Sequence, residues 1–169
     1  MYSAQAEVKP VLKPVLKLAG SGVVLLLAGC GMGMDDASDY AARTFSGNGE
    51  QIYYTGRSQA GTAVTYQGGT MHAQMHSTSC ASCHGDDRQG KRLYPKFWLV
   101  APPLTRHALT EEHDDGHGDH ERYDKNSLKV AIRHGLDPAG KALNTAMPRW
   151  QISEEDMDDL INFLITDSH

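Results

Sequence analysis

Apolar positions recur at helical spacing twice in the second half of the chain. Met157, Leu160, Ile161 and Leu164 follow the i, i+3, i+4, i+7 pattern of a helix with one buried face. Ser153 stands where an N-cap belongs, and Glu154, Glu155 and Asp156 fill the first turn, where the helix dipole favours acids. A second helix is predicted from Asp124, its cap, to His134. It turns Leu128, Ala131 and Ile132 inward and ends at Gly135. Upstream, residues 70–79 place apolar groups at Met71, Met75 and Thr78 behind a capping Thr70, which predicts a third helix. Residues 51–69 alternate β-formers around a glycine turn. Ile52 to Tyr54 and Thr62 to Tyr66 are expected to pair as a hairpin closed by Gly68 and Gly69. Residues 85–105 lack a sustained period and read as loop. Residues 106–122, charged and rich in histidine, read as a surface excursion. No internal repeat is present.

The pattern differs at the start. Lys9, Lys13 and Lys17 precede a short apolar run at 18–29, followed by small residues and Cys30. A spanning helix needs roughly 20 apolar residues, so this run reads as an export signal. Leu27-Ala28-Gly29-Cys30 resembles the lipobox of bacterial lipoproteins, which implies cleavage before Cys30 and a lipid on its thiol. The expected organisation is a signal peptide over 1–29, a flexible tether over 30–50, the hairpin extension over 51–69 and one domain over 70–169. The chain would then be exported and membrane-anchored, facing the periplasm or cell exterior.

Formal net charge is −5 over 169 residues, and without residues 1–29 it is −7. No basic stripe lies outside the export signal, so nucleic acid is not an expected partner. A negative surface steers partners with basic docking patches. Three cysteines are too few for a disulfide scaffold. The apolar core also looks thin for a domain with such long loops, which suggests that it packs around something large.

Cys80-Ala81-Ser82-Cys83-His84 supplies a candidate. C-x-x-C-H is the attachment signature of c-type haem. Two thiols with two residues between them span the two vinyl groups along one porphyrin edge, and the next residue projects its imidazole over the ring. A thioredoxin-like redox pair expects a βαβ context, and a zinc site expects a second pair of ligands. Neither is visible.

From these residues onward the chain resembles the monohaem class I cytochromes c, over roughly residues 69–167. The helix at 70–79 sits where the family's first helix belongs. Ala101-Pro102-Pro103-Leu104 matches its Gly-Pro-x-Leu element with alanine for glycine, and "DLINFLITD" matches its closing helix. The resemblance implies an all-α fold around one covalent haem c. It implies that Cys80 and Cys83 hold the haem and that His84 ligates iron. It also implies that the Pro102 carbonyl accepts the proton of His84 Nδ1.

The second axial ligand is expected to be Met147. It lies in "NTAMPRW", between two predicted helices and before a proline, as in the family's ligand loop. Met71, Met75 and Met157 read as core residues, and Met32 and Met34 belong to the tether. His134 is the bis-histidine alternative. Trp98, Trp150, Tyr94 and Arg149 are candidates for the haem wall or a propionate contact.

A thioether opposite an imidazole closes the iron. The expected function is therefore electron transfer between extracytoplasmic respiratory partners, without enzymatic activity. Two other readings stand beside it. One is a haem sensor or enzyme subunit with an open iron position. The other is a metal-binding module built on His107, His113, His117 and His120.

Overall fold

The computed structural model describes residue 40 and residues 42–71, 78–111 and 122–166. Among these are five helices: α1 (Asn48–Thr55), α2 (Cys80–His84), α3 (Arg106–Thr110), α4 (Lys125–His134) and α5 (Glu154–Ile165). Two strand pairs accompany them. β1 (Thr65–Gln67) pairs antiparallel with β4 (Arg149–Gln151), and β2 (Lys91–Arg92) with β3 (Val100–Ala101). The fold is thus predominantly helical, with two short ladders.

The two clearest periodic segments form as expected. In α4, Asp124 accepts from Ser127 N at 2.6 Å and the Ser127 hydroxyl answers the Asp124 amide, a complete capping box. Gly135 ends the helix in the left-handed region, φ 66°. Leu128, Ala131 and Ile132 are buried. In α5, Ser153 accepts from Asp156 N, and Met157, Leu160, Ile161 and Leu164 are all buried.

The expected hairpin does not form. Ile52 to Tyr54 lie in α1, and the strand at 65–67 pairs with 149–151 instead, Tyr66 facing Trp150 with ring centroids 5.0 Å apart. Ile52, Tyr53 and Tyr54 are all buried in succession, so there is no alternation of faces. α1 packs on α5 on one side and α2 on the other, and this double contact covers consecutive residues. Gly49 permits the approach to α5: a Cβ there would overlap the Asp159 carbonyl oxygen.

Part of the expected tether also packs. Tyr40 and Phe45 lie against the core, and the Arg43 guanidinium sits 3.8 Å from the Tyr54 ring centre. Residues 106–110, expected as part of an excursion, form α3, capped by Thr105 and anchored by buried Leu109. Of the helix expected at 70–79, residues 72–77 lie outside the described residues. Met71, expected in the core, is exposed. Among the described residues no helix is long and apolar enough to cross a membrane.

Candidate functional site

The motif Cys80–His84 is helix α2, a single turn that local hydrogen bonds hold in shape. Ser79 accepts from Ser82 N at 3.2 Å, and the Ser82 hydroxyl reaches back to the Ser79 amide. One turn is too short to persist on propensity alone, so its exit is fixed from α1. Tyr53 Oη donates to the Gly85 carbonyl at 2.6 Å, and Tyr54 Oη donates to the Asp86 carbonyl at 2.7 Å. Neither tyrosine was marked by the motif. The signal available in the sequence was a pair of tyrosines in a stretch better read as helix than as strand.

His84 is buried, and its Nδ1 lies 2.8 Å from the Pro102 carbonyl oxygen. Burial lowers its pKa, and the bond to Pro102 only partly opposes this. The imidazole is therefore neutral, with Nδ1 carrying the proton and the Nε2 lone pair available for a metal. Burial first, and the neighbouring Cys83 second, push the Cys80 thiol up to about 12. Cys80 and Cys83 are not joined as a disulfide.

These residues share one cavity of about 460 Å³, within the roughly 300–1,000 Å³ typical of ligand pockets. Cys80, Cys83, His84, Pro102 and Met147 all line it. Its walls are mostly apolar: Leu128 and Ile132 from α4, Leu160 and Leu164 from α5, and Trp150 from β4. A wider surface groove of about 570 Å³ runs along Arg133, His134 and Gln151 and holds none of the motif residues. His134 lines that groove and not the motif cavity, so among the described residues the imidazole and thioether gathered there are those of His84 and Met147. Met157 is fully buried away from the cavity, whereas Met32, Met34 and Met75 lie outside the described residues.

A flat, largely apolar macrocycle held by two thioethers and an imidazole fits this donor set and this wall. The model of the family described as Cytochrome c matches residues 72–167. The chain belongs to the cytochrome c family. Its cofactor is a covalently attached haem c, and it is a haem-binding electron-transfer protein. Neither the curated proteins nor the solved structures give a match.

Within this cytochrome the four candidate wall residues separate. Trp150 lines the cavity. Trp98 and Tyr94 do not: both are exposed, beside exposed Phe97, on the connection between β2 and β3. Their neighbours Leu93 and Leu99 are the ones facing the cavity. Arg149 turns its guanidinium onto backbone carbonyls, Met147 O at 2.6 Å and Leu143 O at 3.2 Å. In the histidine tract, His107 Nδ1 lies 2.6 Å from Glu111. His113, His117 and His120 lie outside the described residues.

Proposed function

We propose that the protein is a lipid-anchored, extracytoplasmic monohaem cytochrome that carries single electrons between respiratory partners. In this reading Cys80 and Cys83 hold the haem, and His84 and Met147 close its iron. The observation that carries it is the convergence of His84 and Met147, 63 residues apart, on one apolar cavity. When bound, the haem supplies reversible one-electron chemistry. The protein residues fix and insulate it. The Pro102 carbonyl holds the His84 proton at Nδ1, which orients the ring and raises its basicity. The leucine and isoleucine walls exclude water, and a low dielectric together with a thioether ligand favours the reduced state. A closed iron leaves no position for a substrate.

The far-red absorption band of thioether sulfur on ferric iron tests this ligation. The haem-loaded protein is expected to show the band, and Met147→Ala to lose it and bind carbon monoxide rapidly when reduced. A wild-type protein that lacks the band and binds carbon monoxide as fast as the variant would have an open site, and sensing or catalysis would replace the carrier reading.

The export and anchoring part of the reading rests on the lysine-flanked apolar run and Leu27-Ala28-Gly29-Cys30. In cells making the full chain, Cys30→Ser is expected to move the haem-stained protein out of the detergent phase. Equal partitioning of both forms would remove the lipid anchor. Net negative charge favours partners with basic patches, but the exposed Lys91, Arg92 and Lys96, in the segment whose Leu93 and Leu99 line the cavity, are positive. The change in transfer rate with Lys96→Glu at low salt reports which sign the partner presents.

A further inference from the structure

The loop that carries Met147 runs from the end of α4 to the start of β4. Its own backbone bonds are few: Leu143 N to Gly135 O at 2.8 Å, Asp137 N to Lys141 O at 2.9 Å, Gly140 N to Asp137 O at 2.9 Å, and Met147 N to Asn144 O at 3.1 Å. None of these reaches from Met147 to the rest of the fold. The Arg149 side chain does. One nitrogen of its guanidinium donates to Met147 O at 2.6 Å and another to Leu143 O at 3.2 Å, so a single planar group ties both ends of the last turn. Arg149 is itself held in β4 opposite Gln67.

The guanidinium lies across Gly135. A Cβ at that position would overlap Cζ, Nε and one terminal nitrogen of Arg149. Gly135 also takes φ 66° as the C-cap of α4, so two independent demands fall on one residue.

We propose that Arg149, seated on Gly135, is the positioning residue of Met147: it fixes the ligand loop so that the thioether is held at the cavity. This rests on the reading of Met147 as an iron ligand. The physical reason for arginine is its rigid fork. Two donors at a fixed angle satisfy two carbonyls at once, and a lysine ammonium is a flexible point charge that does not reproduce that geometry. Losing one charge-assisted hydrogen bond raises the population of a detached loop by roughly tenfold.

The experiment uses the full chain loaded with haem, with Arg149→Lys, Gly135→Ala and, as a stability control, Ile161→Val in the core. Band intensity at equal haem content, reduction potential, carbon monoxide binding rate and melting temperature are measured for each. Arg149→Lys and Gly135→Ala are expected to weaken the far-red band, lower the potential and speed carbon monoxide binding by about tenfold. Ile161→Val is expected to lower the melting temperature and leave the other three unchanged. If Arg149→Lys keeps the wild-type band, potential and carbon monoxide rate while Met147→Ala loses the band, the positioning role is wrong and the ligand stands. If the wild type has no band for Met147→Ala to remove, the ligand reading fails and this inference with it.

Discussion

At the residue scale, Asp156 shows how much a single buried carboxylate organises. It accepts from Asn48 Nδ2 at 2.8 Å, from Ser58 Oγ at 2.7 Å and from the Thr62 hydroxyl. Burial by itself would raise its pKa. The bonds from Thr62, Ser58, Asn48 and Ser153 outweigh that and bring it down to about 2. A carboxylate depressed in the folded state contributes stability that is full above its unfolded value, near 4, and lost as pH falls toward 2. The contribution at neutral pH is at most about 2 kcal/mol. Asp156→Asn is therefore expected to cost the haem-loaded protein up to that amount at pH 7 and to flatten its stability between about pH 4 and pH 2. Denaturant titrations across that range check it, and a variant with the wild-type acid slope would remove the assignment. The exposed pairs of Glu154 with Lys129 and Arg133 contribute much less, since water screens them. In the sequence Asp156 reads only as one of three acids in a first turn. Apart from the capping Ser153, its partners Asn48, Ser58 and Thr62 lie 94 to 108 residues away, and no local pattern announces them.

At the element scale, the crossing of α1 and α5 decides whether the first segment is helix or strand. α1 has 8 residues, short of the length at which a helix persists alone in water. Its N-terminus has no side-chain cap from Gly47; Glu50 instead accepts from the Ser46 amide at 2.7 Å and from Arg43 at 2.9 Å. The helix is fixed by burying Ile52 and Tyr53 against Met157, Leu160 and Ile161. Gly49→Ala forces a methyl group into the Asp159 carbonyl and is expected to destabilise the protein by about 1–3 kcal/mol, the usual range for overpacking. Thermal melting of the haem-loaded variant measures this, and an unchanged midpoint would mean the helices do not pack this closely. Tyr53→Phe removes the donor to the buried Gly85 carbonyl, at an expected cost of about 1–3 kcal/mol. By contrast α4 and α5 were legible because each carries its own cap and apolar stripe along neighbouring residues, and α4 also its glycine stop.

At the scale of the whole molecule, the core is a shell around the cofactor cavity. Leu128, Leu160 and Leu164 belong to the buried cluster and also face the cavity. An unfilled space of about 460 Å³ would cost at most about 11 kcal/mol at roughly 24 cal/mol per Å³. That is comparable with the entire stability of a domain, about 5–15 kcal/mol. The chain is accordingly expected to need its haem to fold. A double Cys80→Ala, Cys83→Ala variant, unable to form either thioether, is expected to lose cooperative melting and most of its helical circular dichroism when purified without haem. Retention of a sharp wild-type transition would show that the protein walls hold themselves up.

The sequence by itself determined what depends on neighbours along the chain. Cys80, Cys83 and His84 need only their spacing, Ser153 and Asp124 cap the residues that follow them, and the stripe from Met157 to Leu164 needs only the helical period. Tertiary structure decided whatever depends on contacts between distant segments. It made a helix of residues 48–55, because Gly49 lets that segment lie on α5. It gave β1 its partner across the molecule, since strands this short are placed by what they pair with. It also drew Arg149 over Gly135 beside Met147, a contact made only once α4 and β4 have folded against each other.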